Sequence, residues 1–240
     1  LAQDGFQFQG TKNKVTIPFQ FINNLIIIPI HVNGVPLNFL LDTGVEESIL
    51  FSVDETDEVS FSDVEKVKIK GFGSSESFEA YKSINNTFSI KNYTDVHHTI
   101  YLVLDQDITI TFQIGIPVNG IIGAYFFKNN VVKINYETKT ITIYKNKSKA
   151  LKKIEKDYEK IPIQIYHGKP YITVYSKFLP DTELVESKLL IDSGNSDAVW
   201  FFKNNSKNIV IPTANIDDYL GRGFSGDIFG KRSKINAITI

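Results

Sequence analysis

Two acidic triplets are the residues of this chain best suited to catalysis. Asp42-Thr43-Gly44 and Asp192-Ser193-Gly194 each join a short carboxylate to a hydroxyl and a glycine, 150 positions apart. Two carboxylates a few ångströms apart do not both ionise readily, so one of them would keep a proton. The ionised partner could then deprotonate water while the protonated partner donates to a peptide carbonyl oxygen, which is general acid–base catalysis of hydrolysis. The triplets predict a catalytic pair, Asp42 and Asp192, if the fold brings them together.

Each triplet alone has a simpler interpretation as an ordinary turn, because Asp, Ser, Thr and Gly are common turn formers. The flanking sequence argues otherwise. At the same offset FLLDTGVEESIL lies over LLIDSGNSDAVW, and Gly71-Phe72-Gly73 lies over Gly221-Arg222-Gly223. Upstream, IPIHVNGVPL resembles IPIQIYHGKPYI, which aligns the Asn33-Gly34 turn with His167-Gly168. Two coincidental turns would not share neighbours on both sides, so the chain is predicted to contain two copies of one unit.

The residues after each Asp have predicted supporting roles. The hydroxyls of Thr43 and Ser193 could hydrogen-bond the backbone of the opposite copy. Gly44 and Gly194 have no Cβ and would let the two turns approach closely.

Two glycine-rich stretches lie about 30 residues beyond the two aspartates and are predicted hairpin tips. The candidate flap residues are Gly71, Phe72, Gly73 and Ser74 in the first copy and Gly221, Arg222, Gly223 and Phe224 in the second. Such tips could close over an extended peptide and bind it through backbone hydrogen bonds. The alternative is that they are simple hairpin turns.

Strand patterns dominate the chain and predict an all-β, bilobal fold. The segments IIIPIHV and VPLNFLL flank Asn33-Gly34, a dipeptide that favours a tight hairpin. Only 146–160 has a helical pattern, with Leu151, Ile154 and Tyr158 as a thin apolar stripe. We therefore predict a first lobe over 1–145, a helical connector over 146–160 and a partial second lobe over 161–240.

Composition excludes several classes of function. The 26 basic and 27 acidic residues nearly balance, so a nucleic-acid partner is not expected. The chain has no cysteine, and its four histidines lack the spacing of a metal site. We therefore expect no cofactor and no metal.

Three further features make the chain resemble the aspartic protease superfamily, with the retropepsin-like group as the nearest match. Bulky apolar residues, Leu50 and Trp200, lie eight positions after the two aspartates, and Ile121-Ile122-Gly123 matches the second signature of the family. The stretch NKVTIPFQFINNLIIIPIHVNGVPLNFLLDTG is similar to exported bacterial aspartyl-protease family proteins, many with a PDZ domain after the protease region. The resemblance implies a bilobal acid-protease fold, an aspartic endopeptidase, and an extended polypeptide as substrate. It also implies an exported, periplasmic or cell-envelope location with the signal peptide removed.

The second copy departs from the family pattern. The counterpart of Ile121-Ile122-Gly123 would fall beyond Ile240 at the same offset, so we expect a longer natural chain, completion by another chain, or a degenerate relative. A catalytically weak peptide-binding module of the same fold is therefore the alternative function. Three residues after the aspartates the chain has Val45 and Asn195. Because Asn195 could stabilise an ionised Asp192 and Val45 cannot do so for Asp42, the shared proton is expected on Asp42.

Overall fold

The structure, a computed structural model, describes residues 5–51, 59–70, 77–103, 114–203, 207–223 and 226–240. Regular structure in these residues is almost entirely β, which confirms the predicted all-β class. The strands are β1 (Gln7–Phe8), β2 (Lys14–Pro18), β3 (Gln20–Ile22), β4 (Leu25–Val32), β5 (Val35–Leu41), β6 (Ser48–Leu50), β7 (Val64–Lys70), β8 (Ser77–Ile90), β9 (Tyr93–Leu102), β10 (Gly120–Ile122), β11 (Asn130–Asn135), β12 (Thr140–Lys145), β13 (Gln164–Tyr166), β14 (Lys169–Lys177), β15 (Val185–Leu190), β16 (Asn215–Gly223), β17 (Gly226–Ser233) and β18 (Ala237–Thr239). Helix α1 spans Lys149–Ile154, and 3₁₀ turns span Ala124–Phe127 and Glu155–Asp157.

The largest sheet has nine strands and holds the first Asp triplet. Its order is β1-β9-β6-β10-β5-β4-β8-β7, with β3 beside β4, and β8 also pairs with β9. That last pairing closes β4, β5, β10, β6, β9 and β8 into a ring. A separate sheet, β11-β12-β2, adds three antiparallel strands.

The β4–β5 hairpin forms as predicted at Asn33-Gly34. Both turn residues have positive φ, 49° and 94°, which this dipeptide adopts at little cost. Successive residues of β5 point to opposite faces, and both faces are covered: Leu41 joins the main core and Leu40 joins a second apolar cluster. The strand that leads to Asp42 is therefore held from both sides.

Residues after 160 form two smaller sheets. One has the order β13-β14-β15 with β18 beside β14, and the other is the β16–β17 hairpin. The strands β13-β14-β15 repeat the arrangement of β3-β4-β5. Ile27 pairs with Gln20 and Leu40 in the first set. Tyr171 pairs with Gln164 and Leu190 in the second set.

This register corrects one part of the sequence alignment. His167-Gly168 joins β13 to β14, so its structural counterpart is the Asn23-Asn24 turn between β3 and β4, and the predicted match with Asn33-Gly34 is wrong. Asn23, Asn24, His167 and Gly168 all have positive φ, so the β3–β4 turn and the β13–β14 turn have similar backbone conformations. The strand that leads to the second Asp is β15, and a seven-residue connection, 178–184, replaces the tight Asn33-Gly34 turn.

The helical segment is shorter than the predicted 146–160. Ser148 caps α1 by accepting a hydrogen bond from Leu151 N–H at 3.2 Å. Leu151 is buried, but Tyr158 is 52% exposed, so the last predicted turn has little apolar packing to stabilise it. In the described part of the chain no helix has the length and apolarity needed to cross a membrane.

Candidate active site

The first aspartate follows directly from the doubly covered strand β5. Its backbone N–H donates to Ile122 O at 3.0 Å, which ties the turn to β10. β10 runs parallel to β5 on one side and antiparallel to β6 on the other. The residues at the start and the end of the Asp42–Ser48 segment are therefore both next to one short strand.

The Ile121-Ile122-Gly123 motif lies directly behind this segment. A Cβ at Gly123 would meet the backbone oxygens of Glu46 and Glu47, so the close approach requires glycine. Beyond it, Ala124 N–H donates to Val45 O at 2.8 Å.

Four reciprocal hydrogen bonds join the two Asp turns. Thr43 N–H donates to Ser193 Oγ at 3.1 Å, and Ser193 N–H donates to Thr43 Oγ1 at 3.0 Å. The hydroxyls in turn donate across the interface, from Thr43 to Ile191 O at 2.6 Å and from Ser193 to Leu41 O at 2.8 Å. Each hydroxyl thus bonds the backbone of the opposite turn.

The two glycines place each turn against the opposite carboxylate. Gly44 N–H donates to Asp42 Oδ1 at 2.7 Å, and Gly194 N–H donates to Asp192 Oδ1 at 2.8 Å. A Cβ at Gly44 would lie 2.7 Å from Asp192 Cγ, and a Cβ at Gly194 would lie still closer to Asp42 Cγ. Any larger residue would push the carboxylates apart.

The environment favours a proton on Asp42. Burial, the negative charge of Asp192 and a hydrogen bond to that carboxyl raise the pKa of Asp42 from 3.8 to about 7, although the Gly44 N–H and the charge of Lys169 oppose the shift. The direction agrees with the sequence-based expectation, but the cause differs. The Asn195 Oδ1 accepts from Asp197 N–H at 2.9 Å, and burial is the largest contribution at Asp42.

The second Asp turn is flanked by fewer strands and is less buried than the first. In the described residues β15 pairs with β14 alone, whereas β5 lies between β4 and β10. Ile191, just before Asp192, is 40% exposed, whereas Leu41, just before Asp42, is fully buried. The two carboxylates therefore have unequal environments.

Two further contacts between the halves follow the same approximate twofold relation. Asn24 Nδ2 donates to Ser196 O at 2.9 Å. The equivalent contact is between Glu46 and Gly168: the Glu46 side chain lies so close that a Cβ at Gly168 would clash with it. Asn24 and Gly168 occupy equivalent turns, and Glu46 and Ser196 follow equivalent aspartates. The two halves thus contact each other through matched elements.

The candidate flap residues lie at or near hairpin tips where the structure describes them. Gly221, Arg222 and Gly223 end β16, and Gly223 pairs with Gly226 at the tip. Gly221 has φ 149° at a register shift, a conformation suited to glycine. Gly71, Phe72, Gly73, Ser74 and Phe224 lie outside the described residues. A role of either hairpin over the dyad stays a prediction.

A set of hydrogen-bonded side chains around Asp197, near the second turn, was not predicted from the sequence. Arg232 on β17 donates to Asp197 Oδ1 at 2.6 Å and to Asp218 Oδ2 at 2.6 Å. Trp200 Nε1 donates to the same Asp197 carboxylate at 2.8 Å. Burial acts to raise the pKa of Asp197, but these hydrogen bonds and the charge of Arg232 lower it below its ordinary value. No sequence motif signals this link, because its members are far apart in the chain.

Among the described residues, no group of three or more His, Cys, Asp or Glu side chains has the geometry to hold a metal ion.

Comparison with known proteins finds one family model that matches part of this chain. Residues 28–126, which include the first Asp turn, β10 and Gly123, match the model of the aspartyl protease family. A search of curated proteins finds no match. Among solved structures, the chain is similar to a retropepsin-like aspartic protease from Rickettsia conorii at 12% identity, with a TM-score of 0.36 over 60% of this chain and 97% of that one.

Proposed function

Because residues 28–126 of this chain match the model of the aspartyl protease family, we propose that the protein is an aspartic endopeptidase whose dyad is Asp42 and Asp192. The observation that carries the proposal is the reciprocal hydrogen-bond set between Thr43 and Ser193. It brings two carboxylates from distant positions in the sequence together, each against the opposite glycine. A scaffold with two coincidental turns would not need this symmetry.

The unequal environments of the aspartates support an assignment of roles. Asp42, with its raised pKa of about 7, is the proton donor, and Asp192 is the base. Asp192 takes a proton from water as the water oxygen bonds to the peptide carbonyl carbon, while Asp42 gives its proton to the carbonyl oxygen. The tetrahedral intermediate then breaks its C–N bond: Asp192 gives its proton to the leaving amine nitrogen, and Asp42 takes the proton of one hydroxyl as the carbonyl re-forms.

The substrate that suits this arrangement is an extended polypeptide between the turns and the β7–β8 and β16–β17 hairpins. Extended peptides bind to hairpin edges through backbone hydrogen bonds, which requires no particular side chains. This role for the hairpins belongs to the proposal.

The test is cleavage of a denatured protein mixture between pH 3 and 8, with new N-termini identified by mass spectrometry. Asp42→Asn and Asp192→Asn should each reduce the initial rate by at least about 100-fold, because each removes one partner of the proton exchange. Asp181→Asn is the control, since it makes the same chemical change at an exposed carboxylate. Its rate should match that of the unmodified protein.

Cleavage that persists in both Asn variants would contradict the dyad mechanism. Saturable peptide binding without cleavage by the unmodified protein would instead favour the alternative, a peptide-binding module. The observation that supports this alternative is that the second Asp turn is flanked by fewer strands and is less buried than the first.

A further inference from the structure

A second set of polar side chains lies buried next to the first Asp turn and has no part in the proposed proton transfers. Ser48 Oγ lies 2.8 Å from His98 Nε2, and His98 Nδ1 lies 2.8 Å from Asp95 Oδ2. All three residues are at most 4% exposed. The other Asp95 oxygen accepts from His97 N–H at 3.0 Å. This Ser48–His98–Asp95 chain therefore connects strand β9 to the first residue of β6.

The order of groups resembles a nucleophile, a base and an orienting acid, but burial argues against that chemistry. Ser48 has no exposed surface, so its hydroxyl cannot reach an external ester or amide. Because a carboxylate only accepts hydrogen bonds, Nδ1 carries the hydrogen that faces Asp95, and Nε2 shares a hydrogen bond with the Ser48 hydroxyl. The ring is also packed against Phe88, with centroids 4.1 Å apart. Asp95 and Phe88 thus fix the imidazole, and the imidazole fixes Ser48.

Ser48 ends the segment that begins at Asp42. The start of that segment is held by Asp42 N–H on Ile122 O, and its middle by Ala124 N–H on Val45 O and Tyr125 N–H on Glu46 O. At its end, Ser48 pairs with Ile100 of β9, and its hydroxyl bonds His98. A cavity of about 180 Å³ lies beside this end, lined by Glu46, Glu47, Ser48, His98 and Tyr125 among others. Close packing is absent on that side, so directional hydrogen bonds have to set the position of the segment.

We infer that His98, oriented by Asp95, is a positioning residue for the reaction: through Ser48 it sets the path of residues 42–48 and hence the direction of the Asp42 carboxylate. This inference rests on the proposed function for its effect on rate, but its structural part can be tested separately. A displacement of about 1 Å at a reacting group can reduce a rate by roughly 100-fold, so a buried bond six residues away is close enough to matter.

The test compares Ser48→Ala with Ser83→Ala. Ser83 is the control because it is also fully buried, while its hydroxyl bonds Ser62 O at 2.7 Å and the Asn86 side chain, neither of which belongs to residues 42–48. Hydrogen exchange of the Thr43 and Gly44 amides should be about tenfold faster in Ser48→Ala and unchanged in Ser83→Ala, with both variants matched in global stability by thermal unfolding. In the peptide assay Ser48→Ala should lose about tenfold in kcat with KM within about twofold, since Ser48 touches no substrate.

His98→Gln gives a second measurement, because its amide can still bond Ser48 from the position of Nε2. It should keep exchange at Thr43 and Gly44 closer to that of the unmodified protein than Ser48→Ala does. Equal exchange at these amides in Ser48→Ala and Ser83→Ala would overturn the inference. If the unmodified protein cleaves nothing, the proposed function fails, and the exchange comparison still decides the positioning role.

Discussion

At the scale of single residues, the two aspartates are chemically identical but have different surroundings. Asp42 lies at the end of a strand buried on both faces, and Asp192 lies at the end of a strand paired on one edge in the described residues. Burial and the charge of Asp192 raise the pKa of Asp42 to about 7. Asp42 is therefore the partner that keeps the proton.

This raised pKa predicts a pH dependence of stability. The folded-state pKa of Asp42, about 7, exceeds the ordinary value of 3.8, so the stabilisation by its protonated form is complete below about pH 3.8 and lost as the pH rises through about 7. Asp42→Asn cannot ionise, so its midpoint of thermal unfolding should exceed that of the unmodified protein by on the order of 5 °C at pH 8 and by much less at pH 4. Thermal unfolding followed by circular dichroism between pH 4 and 8 measures the difference.

Asp181→Asn is the control for this experiment as well. Its midpoint should differ from that of the unmodified protein by the same amount at both ends of the pH range. A midpoint difference for Asp42→Asn that stays constant from pH 4 to pH 8 would contradict the raised pKa.

At the scale of elements, each Asp turn is supported by strands that lie far from it in sequence. β10 and Gly123 support the first turn from behind. The β16–β17 hairpin contacts the segment after the second turn through Arg232, which donates to Asp197. A hairpin that also bound substrate would therefore be linked to the position of the second aspartate.

Arg232→Gln tests this link between hairpin and turn. Loss of the guanidinium leaves Asp197 without its charged partner, and we expect KM for a peptide substrate to rise by about threefold to tenfold as the hairpin loses its anchor. Lys231→Gln is the matched control, because Lys231 lies next in the chain and pairs only within the hairpin, with Asp217 at 2.8 Å. Its KM should stay within about twofold of the original, and an equal rise in both variants would refute a specific role for Arg232.

At the scale of the whole molecule, apolar burial is unevenly distributed. The nine-stranded sheet encloses an extensive core that includes Ile28, Phe39, Phe88 and Ile100. Among the described residues after 160, the buried apolar side chains are Val174, Phe178 and Pro212. Since burial of apolar surface provides most of the stabilisation of a fold, the two parts should differ in local stability.

Native-state hydrogen exchange measures that difference. Amides of β14 should exchange at least about 100-fold faster than amides of β4, because few buried apolar contacts oppose local opening of the second part. The two strands are a fair comparison, since each is central in its sheet and has hydrogen-bonded neighbours on both edges. Similar protection in β4 and β14 would contradict the unequal distribution of stability.

Short-range features were predictable from sequence. Strand periodicity and the Asn33-Gly34 turn determined the all-β class and the β4–β5 hairpin, because both depend on neighbouring residues. Repetition of sequence around Asp42 and Asp192 singled out the carboxylates and the residues that join their turns. The alignment of His167-Gly168 was wrong because similar two-residue turns can connect different strands, and only strand pairing distinguishes them.

The sequence by itself therefore determined the chemical groups of the candidate site and the class of structure that carries them. Tertiary structure alone decided how those groups act on one another: the closeness of the two turns, the higher pKa of Asp42, the Arg232 link and the buried Ser48–His98–Asp95 chain. The physical reason is that burial and electrostatic interaction depend on distances between residues far apart in the chain, and those distances are set by long-range strand pairing.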